Sequence, residues 1–302
     1  MSERVIIAIP TCERPRSLAR LLGAIARLKT DAEISVLVAD NDAQAHQGFD
    51  LCADMAGSYR WALRAVIEPE RGIAQARNRL VAEALKSDAQ FIAMIDDDEW
   101  PEENWIAEFL KARRATGADV LQGSILFVPN DDGASPMPDI RHATGPIDMP
   151  QGAGNLLICR RVLEETASPW FDPAFALTGG EDQDFFMRLK RAGHRFGWAD
   201  DARAWGDVAA VRNDLGWILR RAYSNGNSDM RVLLKHRPGV TLIAHEGLKI
   251  LGALLLSPPL ALILALSPNH RRTPLVKFSR AAGKLTAMMG ARYNEYALVH
   301  GE

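Results

Sequence analysis

The sequence has few cysteines and no marked excess of charge of either sign. Its three cysteines, Cys12, Cys52 and Cys159, are an odd number without the spacing of a metal site, which indicates free thiols in a reducing compartment. Its 36 basic and 38 acidic residues give a net charge of -2 at pH 7. A disulfide framework is therefore not expected, and no broad basic surface favours nucleic acid as a partner.

The N-terminal residues of the sequence contain no apolar run of signal-peptide length. The first apolar run, residues 5–9, is too short for the hydrophobic region of a signal peptide and ends at Pro10. We therefore expect the catalytic part of the chain to stay in the cytoplasm. No internal repeat is evident, and 302 residues that are 47% hydrophobic and 25% charged are enough for one large domain with an appendage or for two domains.

An apolar run that ends in four acids is the most informative stretch. Residues 91–95 are all apolar and suit a strand buried on both faces of a parallel sheet, and residues 96–99 are three aspartates and a glutamate. Open α/β sheets bind ligands at this carboxyl edge. Acids crowded in a run without a basic residue repel one another unless a cation joins them, and hard oxygen ligands suit Mg²⁺ or Mn²⁺. The alternative is a solvated acidic turn before a helix that begins near Pro101.

Other strands and helices alternate around this run. Residues 5–9, 34–39 and 61–67 are predicted strands, and the second ends at Asp40. Helical spacing of apolar residues predicts helices over 16–28, 72–86 and 105–116, with a further strand at 120–128. This order predicts an α/β fold with a doubly wound, Rossmann-like, mostly parallel sheet flanked by helices.

Glycines and acids mark two later stretches. Residues 129–150 have no periodic pattern, which is typical of a lid or mobile segment, and the small residues at 152–155 would let the backbone approach a ligand closely. Glu181 and Asp182 follow two glycines and open a helix. Acids in a first helical turn are also explained by the helix dipole and capping, without any catalytic role.

The C-terminal part changes in composition. Residues 215–235 are predicted as a helix, and residues 250–266 are almost wholly apolar but are split by Pro258 and Pro259. Because adjacent prolines would break a spanning helix, we expect a re-entrant or shallow helical hairpin. The basic residues that follow favour peripheral or monotopic attachment to the cytoplasmic face of the inner membrane. The alternative is a hairpin buried in a soluble domain or dimer.

The order of these motifs resembles the family 2 glycosyltransferases over about residues 4–230. The matching features are Pro10-Thr11 after the first strand, Asp40 after the second, Ala76-Arg77-Asn78 on a helix, the triple aspartate and Glu181-Asp182. The C-terminal part looks like bacterial exopolysaccharide enzymes, such as succinoglycan-type glycosyltransferases. The resemblance implies a GT-A fold, a nucleotide-diphosphate sugar donor, a divalent cation and inversion at the anomeric carbon.

The resemblance also implies roles for single residues. The residues that it assigns to the nucleotide-sugar pocket are Pro10, Thr11, Asp40, Arg77, Asp96, Asp97 and Glu181. Asp40 would bind the base and Arg77 the nucleotide or its phosphates. Asp98, with Asp96, would hold Mg²⁺ or Mn²⁺, and Asp182 would be the catalytic base. A catalytic domain is expected at residues 1–210, with a nucleotide-sugar half at about 1–100 and an acceptor half at about 101–210, followed by a helical region at 211–302.

Two departures from the family pattern narrow the expectation. Trp205-Gly206-Asp207 stands where many relatives carry a histidine, and the Gln-x-x-Arg-Trp pattern of processive synthases is absent. We therefore expect transfer of a single sugar, with a bias to a UDP-sugar, onto a saccharide acceptor that is polyprenyl-diphosphate-linked. The alternatives are a non-catalytic, membrane-associated nucleotide-sugar-binding protein and a nucleotidyltransferase, although the glycine-rich phosphate loop often used by the latter is missing.

Overall fold

The computed structural model describes residues 2–128, 139–206, 214–267 and 270–294. Within these residues the chain divides into two compact units. The first contains residues 2–176 and 185–206, and the second contains residues 177–184, 214–267 and 270–294. This division assigns residues 177–184 to the helical C-terminal unit, whereas the sequence-based boundary at 210 left them in the catalytic domain.

In the described part of the first unit, nine strands form one sheet. The order is β3-β2-β1-β4-β8-β6-β9-β5, and β7 pairs with β9. Strands β1, β2, β3, β4, β6 and β9 run in one direction, while β5, β7 and β8 run against them. The strands are β1 (Arg4–Thr11), β2 (Glu33–Asp40), β3 (Ala62–Ile67), β4 (Phe91–Met94), β5 (Glu99–Pro101), β6 (Val120–Phe127), β7 (Gly145–Ile147), β8 (Leu156–Cys159) and β9 (Phe196–Gly206).

Helices cover both faces of this sheet. They are α1 (Pro15–Ile25), α2 (Gln47–Ala56), α3 (Ile73–Ala84), α4 (Trp105–Thr116), α5 (Arg160–Glu165) and α6 (Glu181–Arg191). Alternate residues of β1 enter different cores: Ile7 packs with side chains of α1, α2 and α4, whereas Ile6 packs with side chains of α3, α5 and α6. A strand with both faces buried must be apolar throughout, which is why these strands lack alternation.

The predicted α/β fold with a mostly parallel sheet is confirmed. Two elements beside the site were not predicted. Helix α2 follows Asp40, and β5 pairs antiparallel with β9 where a helix from Pro101 was the alternative. The helix begins at Trp105 instead. In the predicted loop of residues 129–150, the short strand β7 is formed, and residues 129–138 lie outside the described part of the chain.

The second unit is helical in its described residues. Its long helices are α7 (Leu215–His236), α8 (Val240–Ile263) and α9 (Thr273–Met288). Helices α7 and α9 approach so closely that a Cβ on Gly226 would lie 2.1 Å from the Arg280 carbonyl oxygen, and one on Gly283 would lie 2.0 Å from that of Tyr223. Glycine is therefore required at both crossing points because no side chain fits between the backbones.

The predicted hairpin over residues 250–266 is wrong. Helix α8 runs without a turn from Val240 to Ile263 and includes Pro258 and Pro259. A proline's fixed φ fits a helix, so the two prolines remove backbone N–H donors without forcing the chain to reverse.

Helix α8 is the one helix in the described residues that is long and apolar enough to cross a membrane, judged by length and composition alone. Within its unit it buries Glu246, Ile250 and Ser257. Glu246 accepts hydrogen bonds from Lys284 of α9 and Lys249. Most of its leucines stay exposed, which leaves an apolar surface on this unit; the exposed large apolar residues of α8 are Val240, Ile243, Leu248, Leu251, Leu255, Leu256, Leu260, Leu262 and Ile263.

Candidate active site

The carboxyl ends of β1, β2 and β4 bring the predicted acids and Thr11 to one edge of the sheet. Thr11 ends β1 in register with Asp40 at the end of β2. The Thr11 hydroxyl donates to Asp97 Oδ2 at 2.8 Å, and Arg14 Nη1 donates to Asp97 Oδ1 at 3.0 Å. Asp97 is thereby held inward, with its side chain only 7% exposed.

Asp96 and Asp98, on either side of Asp97, are the more accessible acids. Their side chains are 36% and 28% exposed, respectively. Arg77 of α3 forms an ion pair with Asp96 at 3.2 Å, and Arg14 contacts Asp98 at 3.4 Å. The acidic run has no basic neighbour in sequence, but in the fold the guanidinium groups of Arg77 and Arg14 lie beside the acids and partly balance their charge.

Glu99 extends the acidic cluster into the interior. It is 8% exposed, and its Oε2 is buried with no hydrogen-bond partner in the described residues. A Cβ on Gly154 would lie 3.0 Å from Glu99 Oε1 and 3.2 Å from Asp96 Oδ2. The two carboxyl groups therefore face the same bare stretch of backbone, and any side chain at residue 154 would fill the space between them and the chain.

Burial and mutual repulsion raise the proton affinity of two of these acids. Burial raises the pKa of Asp97 to about 7, with Asp98 and Asp96 adding to the effect, while Arg14 and the Thr11 hydroxyl oppose it. Burial also raises the pKa of Glu99 well above its ordinary value, again with help from Asp96 and Asp98. An additional positive charge at this edge would favour the ionised forms of both groups.

Asp40 has a structural function that the sequence did not indicate. It is 0% exposed. Its Oδ1 accepts the backbone N–H of Asp42 at 3.0 Å, and its Oδ2 accepts that of Phe49 at 2.9 Å. Phe49 lies in the first turn of α2, so Asp40 caps this helix from outside it. Its predicted contact with a nucleotide base stays a prediction.

Asn41 fixes the loop that leads into α3. Its Nδ2 donates to the carbonyls of Glu68 and Glu70 at 2.9 and 2.8 Å, and its Oδ1 accepts the Gly72 N–H at 2.7 Å. Helix α3 begins directly afterwards and delivers Arg77 to the edge. The Asn41 amide, directly after β2, thus fixes the start of α3 and with it the position of the Arg77 guanidinium beside Asp96.

Glu181 and Asp182 belong to the second unit, where they open α6. Glu181 is buried and Asp182 is half-buried, and Asp182 Oδ1 accepts the Gln183 N–H at 2.7 Å. The next acid, Asp184, is completely buried and pairs with His236 and Lys235 of α7.

Sequence patterns missed Arg14, Glu99 and Asn41 at this edge. Arg14 lies three residues after Thr11 in the same strand-end loop, which was a usable signal, since all strand ends of a parallel sheet meet at one edge. Glu99 continues the acidic run and was not assigned a role. Among the described residues, no group of three or more histidines, cysteines or acids has the geometry of a metal site.

A mostly parallel α/β sheet with paired acids at the carboxyl end of a central strand is the architecture of a GT-A glycosyltransferase. A family model described as "Glycosyl transferase family 2" matches residues 6–161, which is just over half of the chain, and the chain belongs to that family.

Individual relatives agree with this assignment. The chain is 27% identical over 242 residues to "Succinoglycan biosynthesis protein ExoM" of Rhizobium meliloti (strain 1021), an alignment that covers 78% of this chain and 76% of that protein. Its fold is similar to a crystal structure of S. aureus TarS 1-349 in complex with UDP, with a TM-score of 0.55 at 13% identity, covering 97% of this chain and 93% of that one. A longer TarS structure gives a TM-score of 0.55 at 14% identity and covers 96% of this chain, which spans 55% of its length.

Proposed function

We propose that this glycosyltransferase transfers a single sugar from a UDP-sugar to a hydroxyl of a lipid-linked saccharide, with inversion, during synthesis of an exopolysaccharide. One observation carries the proposal: Asp96 and Asp98 lie accessible at the carboxyl edge, while the intervening Asp97 is turned inward by Thr11 and Arg14. The relative named for succinoglycan biosynthesis supports the exopolysaccharide assignment, and the similar fold crystallised with UDP supports the donor class.

The acids at this edge fit a divalent cation. Asp96 and Asp98 offer hard, accessible carboxylate oxygens, and beside them the buried Glu99 Oε2 has no hydrogen-bond partner within the described residues. Mg²⁺ is commonly held by one or two carboxylates together with substrate phosphates, so a complete protein cage is not required. Asp98 and Asp96 would hold Mg²⁺ or Mn²⁺, and a bound cation would neutralise charge on the departing diphosphate.

Protein groups supply the remaining requirements for transfer. Arg77, held at the edge by α3, would orient a diphosphate by charge-assisted hydrogen bonds. Asp182 would take the proton from the attacking acceptor hydroxyl, because a neutral alcohol must lose its proton as the new bond forms. Attack on the face opposite the leaving group gives the inverted anomer.

The metal assignment is tested with Asp98→Asn. We expect turnover to fall by roughly 10²-fold or more and Mn²⁺-dependent UDP binding to weaken, with an unchanged free energy of unfolding. The matched control is Asp88→Asn, since Asp88 is an exposed acid whose ion-pair partner, Arg4, begins β1 at the opposite edge of the sheet. Near-normal turnover of Asp98→Asn with Mn²⁺ would remove Asp98 from the site.

The base assignment is tested with Asp182→Asn, which keeps the shape of the side chain but removes its basicity. Turnover should fall by roughly 10²-fold while donor affinity changes little, and NMR of the wild-type product should show an inverted anomeric centre. The matched control is Gln183→Ala in the same helical turn. The other nearby acid, Asp184, would not serve as a control because it is buried and paired with Lys235 and His236. UDP-sugar binding by wild-type protein without transfer to any acceptor would favour a binding protein.

Membrane attachment through the second unit is part of the proposal. The exposed leucines of α8 would enter the lipid interface, and exposed Arg271, Arg272 and Lys277 would face anionic headgroups. Burial of Glu246 against Lys284 favours a helix lying on the membrane with α9 over one that crosses it.

Vesicle flotation with and without phosphatidylglycerol tests this attachment. The double change Leu255→Glu and Leu262→Glu should reduce binding by roughly 10²-fold or more, since each leucine that leaves the interface loses about 1.5–3 kcal/mol. Full-length protein that stays in solution with both kinds of vesicle would contradict the attachment.

A further inference from the structure

Residues 178–184, the segment that carries Asp182, are hydrogen-bonded at both ends to helix α7. At the first end, Ser228 Oγ donates to the Thr178 carbonyl at 2.7 Å, and Arg231 donates to the Thr178 hydroxyl. At the other end, His236 Nε2 donates to Asp184 Oδ1 at 2.8 Å. All of these groups belong to the second unit.

The spacing on α7 fits this arrangement. Ser228, Arg231 and Lys235 are separated by three and four residues and therefore share one face of the helix. Lys235 and its neighbour His236 both contact Asp184. From Ser228 to Lys235 the helix rises by about 10 Å, so one face of α7 spans the distance between the two fastened ends.

The stretch between the fastened ends needs such support. Gly179 and Gly180 have φ values of 74° and 98°, a region that glycine occupies readily and other residues rarely do. Two consecutive glycines give this stretch wide backbone freedom, so ordering it carries an entropic cost that contacts from outside the stretch must offset. Thr178 and Asp184 are both buried, whereas Asp182 between them is only half-buried. The contacts with α7 thus hold both ends of the stretch that contains Asp182.

We propose that Ser228, Arg231 and His236 are positioning residues for glycosyl transfer, which hold the Asp182 carboxylate by fixing residues 178–184 on α7. The inference rests on the proposed role of Asp182 as the base. It adds that this base is set in place by the helical C-terminal unit, so that turnover depends on side chains of α7 that act through residues 178–184.

The test compares His236→Ala with His236→Gln, because glutamine keeps a side-chain N–H donor. We expect His236→Ala to lower kcat by roughly 10- to 100-fold, since a displacement of about 1 Å can cost 10²-fold in rate, with donor KM changed less than about 3-fold. Hydrogen–deuterium exchange of residues 177–184 should accelerate at least about 10-fold. His236→Gln should recover most of both effects, and exposed Arg237→Ala is the matched control.

Each result bears on the proposal. Unchanged exchange of residues 177–184 in His236→Ala would overturn it, as would faster exchange with unaltered kcat. If His236→Ala does not fold, Ser228→Ala against Ser228→Thr carries the same comparison at the Thr178 end. Failure of the proposed function would be seen separately, as normal turnover of Asp182→Asn. Hydrogen–deuterium exchange of the α7 variants would still show whether α7 holds residues 178–184.

Discussion

Replacing Asp40 separates a nucleotide-binding role from a structural one. The substitution Asp40→Ala removes the acceptors of the Asp42 and Phe49 backbone N–H groups in a position with no solvent exposure. An unsatisfied buried donor costs about 1–3 kcal/mol, so the two donors together lower the free energy of unfolding by about 2–6 kcal/mol. Asp40→Asn keeps one acceptor oxygen and should cost less than Asp40→Ala.

Urea unfolding, amide exchange and UDP calorimetry together check this reasoning. We expect faster exchange at the start of α2, and a loss of UDP affinity that appears only in step with the loss of stability. Asp42→Ala is a matched control that removes a neighbouring carboxylate, whose Oδ1 accepts the N–H groups of the Asx turn at Gln44 and Ala45. Unchanged stability and exchange with strongly weakened UDP binding would refute the capping role and restore Asp40 to the base pocket.

Three further predictions concern other parts of the first unit. Asn155→Ala should lower the free energy of unfolding by about 3–5 kcal/mol, because Asn155 accepts the Trp105 indole N–H and donates to two carbonyls; a loss below about 1 kcal/mol in urea would contradict this. Hydrogen bonds from neighbouring basic side chains lower the pKa of Glu83 from 4.5 to about 2. Glu83→Gln should therefore cost about 1–2 kcal/mol above pH 5, after allowance for solvent-exposed partners, and the difference should vanish as the pH falls to about 2; a constant difference would be inconsistent with this ionisation. Arg14→Ala should raise Mn²⁺ affinity in calorimetry by roughly 5-fold, because a positive charge beside Asp98 is removed, and weaker Mn²⁺ binding would show that Arg14 does not oppose a cation.

Local patterns predicted the parts of the fold that local physics determines. Continuous apolar runs predicted β1, β2 and β4, because strands buried on both faces cannot carry polar residues. Helical spacing predicted α4 at Trp105–Thr116. Helix α2 was not predicted because its capping group, Asp40, lies outside the helix in sequence. Strand β5 was not predicted because a strand of three residues forms only when β9 lies beside it.

Prediction of the site was limited in the same way. The acids at residues 96–99 could be recognised from the sequence because they are contiguous. Which of these acids faces outward depends on hydrogen bonds from Thr11 and Arg14, more than 80 residues away in the sequence. A local sequence pattern cannot predict a contact over such a separation. The predicted hairpin was wrong because helix α8 continues through Pro258 and Pro259, whose fixed φ is compatible with a helix.

The close crossing of Gly226 and Gly283 determines an order of events in biosynthesis. The two glycines lie on helices separated by the whole of α8, so α7 cannot form this crossing until α9 has left the ribosome. During that interval the leucines of α8 are already synthesised and exposed, and such transient apolar surface promotes aggregation. Slow translation in the presence of a lipid surface or a mild detergent should therefore give more soluble, correctly paired protein than rapid overproduction in their absence.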